Sequence, residues 1–179
     1  MCLSGGLDSA VVLAQVVDRP HVRAIHFRYD HPAASAELTA SRDIASHYGV
    51  HMHEQRIEPP ISGIMCGTGA GSPVVYGRNT IMLANACALA QSIGTETVLV
   101  GFSGEDQSLF PDCRPGYLAA MNTAQQKVGG PRIVAPLIGL SRADVRSLAA
   151  KLDVPRELVW SCYLPSRDGQ PCGECVSCR

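Results

Sequence analysis

Short apolar runs alternate along this chain with longer stretches whose apolar positions recur every three to four residues. The runs Met1 to Leu3, Val22 to Phe27, Val50 to Ile57, Thr97 to Gly101 and Ile133-Val134 read as strands. Between them lie predicted helices. The first carries Val11, Val12, Leu13, Val16 and Val17 and ends at Asp18-Arg19-Pro20, because proline cannot continue the hydrogen-bond ladder. Ala33 to Tyr48 is stopped by Gly49, and Ile81 to Ile93 by Gly94, each a glycine C-cap. Asn79 or Thr80 is the expected N-cap of that third helix. Tyr117 to Val128 follows, then Ser141 to Leu152, opened by the capping box variant Ser141-Arg142-Ala143-Asp144, and a last turn from Pro155 that carries Trp160. Strands alternating with helices predict an α/β fold, an open, mainly parallel sheet wound on both faces. One stretch breaks the rhythm. Residues 59–73, rich in Gly, Pro and Ser, read as a loop long enough to cover a site.

Composition narrows the function. At 179 residues the chain is expected to form one domain, and 46% hydrophobic content fits a buried core. A net charge of −1, from 15 Lys plus Arg against 16 Asp plus Glu, advertises no basic face and argues against direct binding of nucleic acid. No apolar run approaches the roughly 20 residues of a membrane span, and the start lacks a signal-peptide pattern, so a cytoplasmic protein is expected. Of eight cysteines, at 2, 66, 87, 113, 162, 172, 175 and 178, half crowd into the last stretch. Such clustering reads as metal binding in a reducing compartment. Cys162 with Cys172, Cys175 and Cys178 supplies the four thiolates of a closed, structural Zn²⁺ site. The competing iron–sulfur reading is weaker, since the fourth thiol lies upstream and the ferredoxin Cys-Pro is absent. His47, His51 and His53 have no carboxylate spaced to complete a metal site and are read as solvated.

The chemistry is expected at the amino terminus. Ser4-Gly5-Gly6-Leu7-Asp8-Ser9 sits between the first strand and first helix, where unpaired N–H groups and the helix dipole favour an anion. Two glycines let the backbone come close, the serines offer hydroxyls, and Asp8 is placed to hold a divalent cation. The loop lacks the Lys-Ser/Thr pair of nucleotide hydrolases and the three spaced glycines of dinucleotide folds. That difference suggests a departing group held as pyrophosphate. Other candidates are Tyr29 and Asp30 at a strand's carboxyl end, Arg78 at a helix start, and the strand-end loop with Glu105, Asp106, Asp112 and Arg114.

Ser4 to Ser9 resembles the pyrophosphate loop of the ATP pyrophosphatase (PP-loop) superfamily, whose members activate a carbonyl by adenylation. Taken together, Leu3 to Ser9, Gly77-Arg78-Asn79-Thr80, Pro111-Asp112-Cys113-Arg114-Pro115, Pro136-Leu137 with Leu140-Ser141, and Trp160-Ser161-Cys162-Tyr163 with Cys172 to Cys178 resemble the 7-cyano-7-deazaguanine (preQ0) synthase family. The resemblance implies an adenine nucleotide alpha hydrolase-like domain over 1–160 and a zinc-binding tail over 161–179. It implies an enzyme, a carbon–nitrogen ligase that adenylates 7-carboxy-7-deazaguanine with ATP and Mg²⁺, adds ammonia, and dehydrates the amide to the nitrile. Leu3, Ser4, Gly5, Gly6, Leu7, Asp8, Ser9, Arg78 and Asn79 would bind ATP, with Asp8, Ser9, Asp112 and Arg114 catalytic. Asp106 or Asp112 would accept the donor edge of the base, Arg114 or Arg78 would meet a carboxylate or phosphate, and Cys113 is read as a packed small residue. A homodimer is implied as well. The chain departs from the family in a shorter first strand, a shorter end, and Tyr29-Asp30-His31-Pro32 in place of a glutamine-containing stretch. Two alternatives follow from these departures: an adenylating enzyme that joins the deazapurine acid to another amine, such as one on a protein, and a nucleotide-binding relative without turnover.

Overall fold

The computed structural model describes residues 1–58, 75 and 77–178. The expected covering loop, 59–73, lies outside the described residues. Strand β1 (Arg23–Arg28) runs parallel to β2 (His51–Arg56), with Arg23 opposite His51 and Arg28 opposite Arg56. Strand β3 (Thr97–Leu99) pairs in parallel with β4 (Arg132–Val134). Residues 1–3 join the two pairs. Cys2 bridges Ile25 in the parallel sense, Leu3 N–H donates to Ile25 O at 2.9 Å, and Cys2 N–H donates to Leu99 O at 2.9 Å. The spatial order is therefore β2, β1, residues 1–3, β3, β4.

Helices cover both faces, which is why Ala24 to Phe27 of β1 are all buried. On one face α1 (Leu7–Ala14), α2 (Ala34–His47) and α6 (Arg142–Lys151) pack Val11, Leu13, Ile44 and Val145 around Leu3, Ala24 and Leu137. On the other, α3 (Arg78–Ser92) and α5 (Pro115–Lys127) bring Leu83, Cys87 and Met121 against Ile25, Phe27, Val98 and Ile133. Successive residues of β1 thus serve opposite faces, as the pleat demands.

Several expectations meet the structure directly. Gly49 and Gly94 follow α2 and α3 at φ 64° and 71°, the left-handed values a helix C-cap uses. Ser141 and Asp144 form a reciprocal capping box. Two differ. Helix α1 is shorter than its apolar pattern, with Val16 and Val17 in turns. The N-cap of α3 is Gly77 at φ 75°, because Asn79 is already helical and its buried amide donates to Cys113 Sγ at 3.5 Å. Within the expected strand-end loop, Asp106–Leu109 forms the short α4 and Pro111–Cys113 a 3₁₀ turn. Among the described residues no helix is long and apolar enough to cross a membrane.

Candidate active site and metal centre

The chain leaves its central segment first towards β1 and β2, then returns to build β3 and β4 on the other side. Open α/β sheets form their ligand crevice where that reversal falls, beyond the strands' carboxyl ends. A cavity of about 830 Å³ lies there, lined by the loop after Leu3, by Phe27 near the end of β1 and Tyr29 just beyond it, and by Val100 to Ser103 after β3.

The loop is braced from within. Ser9 Oγ donates to Gly6 O at 2.8 Å, and Ser4 Oγ lies 3.1 Å from Ser9 Oγ. Ser9 has spent its one proton on Gly6, so Ser4 donates to Ser9 and accepts from Gly6 N–H at 3.3 Å. Ser9 is buried and serves as the brace, whereas Ser4 is exposed and can turn its hydroxyl to a ligand. Gly6 caps α1 without any side-chain hydrogen bond, so the N–H groups of the first helical turn remain available at the cavity floor. An anion with several oxygens suits such a floor.

Two glycines fix the loop's position. Gly5 has φ +93°, and a Cβ there would come 2.6 Å from Glu37 O. A Cβ on Gly101 would come 2.9 Å from Ser9 N. Gly5→Ala is expected to cost on the order of 2 kcal/mol in a denaturant titration and to abolish any loop-dependent activity. An unchanged midpoint would refute the close packing of α2 on the loop.

Carboxylates gather beside the loop. Ser103 N–H and Oγ donate to Asp106 Oδ2 at 2.9 and 3.0 Å. Burial, and then the charge of Asp106, push the Asp8 carboxyl up to about 6, against a hydrogen bond from Ser103. Glu105 is engaged by Arg142 Nε at 2.9 Å. Asp8 and Asp106 thus form an electronegative pair suited to a hard divalent cation.

On the β1 side the cavity holds Glu37, Arg78 and Tyr29. Arg78 Nη1 donates to Tyr29 Oη at 3.2 Å, and the Tyr29 ring stacks on His31 with centroids 4.4 Å apart. Burial pushes Tyr29 up to about 12 and Glu37 up to about 7, and pulls His31 down to about 4. His31 Nε2 stands 3.6 Å from Glu37 Oε2 but is neutral near pH 7, so the two do not form an ion pair there. Buried His26 has its Nδ1 2.9 Å from Leu3 O; the carbonyl only accepts, so Nδ1 carries the proton.

Of the sequence candidates, Leu3, Ser4, Gly6, Leu7, Asp8, Ser9, Arg78, Asn79 and Asp106 line the cavity, and Gly5 shapes the loop from behind. Asp112 and Arg114 are not brought to its lining; Arg114 is exposed and donates from Nε to Gln107 O at 3.0 Å. Cys113 between them is buried, its thiol pushed far up by burial and the nearby carboxylates. Sequence reasoning missed Glu37, Ser103 and His26. For Glu37 the available signal was position: the first turn of a helix that follows a strand lies at the sheet's ligand edge.

The four tail sulfurs, from Cys162, Cys172, Cys175 and Cys178, lie within 4.8 Å of one another. Cys172 and Cys178 are 3.9 Å apart and Cys175 and Cys178 3.5 Å, near the roughly 3.8 Å edge of a tetrahedron with 2.3 Å metal–sulfur bonds. Backbone N–H groups of Glu174 and Cys175 point at Cys172 Sγ and pull that thiol down to about 6. The turn needs Gly173 at φ 73°. The donor set fits a soft or borderline divalent metal with no position left open.

The parallel sheet, the switch-point crevice and the Ser-Gly-Gly anion loop define a nucleotide-binding α/β protein of the PP-loop type. Solved structures share the fold: the U34-tRNA thiolase NcsA from Methanococcus maripaludis with its [4Fe-4S] cluster (TM-score 0.59, 14% identity, 87% of this chain and 56% of that one) and an NMN synthetase from Francisella tularensis (TM-score 0.57, 19% identity, 97% and 69%). The NH3-dependent NAD synthetase of Campylobacter jejuni is similar too (TM-score 0.59, 16% identity, 88% and 64%). The family model "Queuosine biosynthesis protein QueC" matches residues 1–179, and the chain belongs to that family. Curated relatives named 7-cyano-7-deazaguanine synthase include those of Frankia casuarinae (40% identical, covering 98% of this chain and 84% of the relative) and Thermoplasma volcanium (38%, 99% and 81%).

Proposed function

We propose that this protein is an ATP-dependent ligase that converts 7-carboxy-7-deazaguanine to 7-cyano-7-deazaguanine with ammonia. The observation that carries the reading is the uncapped α1 beneath the Ser4–Ser9 loop, set in the switch-point cavity of a chain so similar to the curated synthases. The substrate carboxylate attacks the α-phosphorus of ATP, and pyrophosphate leaves. Ammonia then displaces AMP to give the amide; a second ATP adenylates the amide oxygen with loss of pyrophosphate, and AMP departs with that oxygen as the nitrogen gives up its two protons, leaving the nitrile. The first-turn N–H groups, with Ser4, would hold the departing pyrophosphate, and Arg78 and Asn79 would meet the nucleotide. Asp8 and Asp106 would hold Mg²⁺, which supplies neutralisation of the leaving group's charge. Catalysis on this account is positioning and charge stabilisation, with no protein nucleophile.

The catalytic assignment of Asp112 and Arg114 rests on their motif alone. Cys162, Cys172, Cys175 and Cys178 would hold a structural Zn²⁺, tying residues 161–179 to the body formed by 1–160; the near-tetrahedral sulfur spacing supports this. We further propose a cytoplasmic homodimer acting on small molecules, without direct contact to nucleic acid. The second reading, transfer of the activated acid to another amine, draws support from the altered Tyr29-Asp30-His31-Pro32 segment on the cavity's β1 side.

One incubation tests the proposal. With ATP, Mg²⁺ and ammonium, pyrophosphate release is expected only when 7-carboxy-7-deazaguanine is added, and the product mass should be that of the nitrile. AMP formation indifferent to the acid would overturn the ligase. Product formed only when ammonium is replaced by another amine would favour the second reading.

A further inference from the structure

We propose that Glu37 is the specificity residue for the substrate ring: its carboxylate accepts the paired N–H donors of a 2-amino-4-oxopyrimidine edge. The inference rests on the ligase reading above and adds a residue to it.

The cavity's lining offers Asp8, Glu37, Glu105 and Asp106 as carboxylates. Three are accounted for elsewhere. Glu105 is paired with Arg142, Asp106 accepts two donors from Ser103, and Asp8 faces Asp106 across the loop. Glu37 stands apart on the β1 side. Its helix turn is wedged against the phosphate loop, so close that no Cβ fits on Gly5. Among the described residues no donor hydrogen-bonds its carboxylate, and the nearest ring nitrogen, on neutral His31, is 3.6 Å away. The side chain is only 19% exposed.

A mostly buried carboxylate without donors is unfavourable, and a ligand that brings donors relieves the cost. The chemistry selects the ligand. An ionised carboxylate only accepts hydrogen bonds, with two oxygens side by side. A guanine-like ring presents a ring N–H and an exocyclic amine in parallel, which matches both oxygens. Adenine presents one donor beside one acceptor and would need the protonated acid. Burial lifts Glu37 to about 7 against the charge of Arg78, so in an assay at pH 8 the acid is ionised and the first case holds.

The test compares pyrophosphate release with 7-carboxy-7-deazaguanine and with the analogue lacking the exocyclic amine, alongside the equilibrium affinity for ATP. Wild type should prefer the amine-bearing acid by about 100-fold or more in kcat/KM, since a buried polar site rejects a ligand that leaves it unpaired. Glu37→Gln should cut that preference below about tenfold and leave the ATP affinity within about twofold. A wild-type enzyme without preference overturns the proposal and needs no variant. A Gln variant that keeps the preference but loses ATP affinity also overturns it, moving Glu37 to the nucleotide. Absence of pyrophosphate with either acid in wild type would instead overturn the ligase reading, and this inference with it.

Discussion

Asp8→Asn is expected to lower acid-dependent pyrophosphate release by about 100-fold or more while raising the melting temperature. The first half follows from charge: an amide neither holds Mg²⁺ as a carboxylate does nor steadies the charge that develops on the leaving group. The second follows from repulsion. Burial, with Asp106 nearby, lifts the folded-state pKa of Asp8 from 3.8 to about 6, so the folded chain binds this proton more tightly than the unfolded chain does. The ionised side chain therefore opposes folding. Its cost is absent below about pH 4, grows through the window up to about 6, and is full above it, on the order of 3 kcal/mol. Asn carries no such cost. Melts without Mg²⁺ should show the variant ahead by a few degrees at pH 8 and level with wild type at pH 4. A variant that melts lower at pH 8 would show that Asp8 supports the fold, contrary to this account.

The same residue shows which parts of a site are legible in an amino-acid sequence. Asp8 and its loop are legible because a strand, two glycines and a helix follow one another within ten residues, and local order alone sets that geometry. The tail cysteines are legible for the same reason: three thiols spaced by two residues can turn around one metal without help from the rest of the chain. Asp112 and Arg114 carry an equally clear motif, yet the cavity receives the buried Cys113 between them. A 3₁₀ turn decides which of three neighbouring residues faces inward, and no periodicity announces it. Glu37 escapes for a different reason. Within an alanine-rich helix a glutamate reads as a solvated face, and only the docking of α2 on Gly5 turns it inward. Tertiary approach, not local pattern, makes it a site residue. The N-cap of α3 moves to Gly77 for a related reason, since Asn79 is drawn away by Cys113.

Stripping the metal should have the larger structural effect, because the tail has little else to hold it. Leu164 and Val176 are exposed, and of the segment after Trp160 only Cys162 is buried among the described residues. The tail nevertheless reaches the Ser4–Ser9 loop. Trp160 Nε1 donates to Cys162 O at 2.8 Å, and Trp160 N–H donates to Gly5 O at 2.9 Å. A metal that fixes Cys162 therefore steadies Gly5 through a single residue, Trp160, while Val176, which lines the cavity, is tied to α6 by the 3.0 Å bond from Arg142 Nη1. Chelation, or Cys172→Ser with Cys175→Ser, should release about one metal per chain, open residues 163–171 to proteolysis, and lower pyrophosphate release about tenfold or more, with KM for ATP rising. The α/β body, held by its two apolar layers, should keep its helical circular dichroism. Elemental analysis of the untreated protein is expected to return zinc. Metal-free protein that resists proteolysis and turns over like the loaded form would remove the link between tail and loop, while iron in place of zinc would change the metal and leave the link standing.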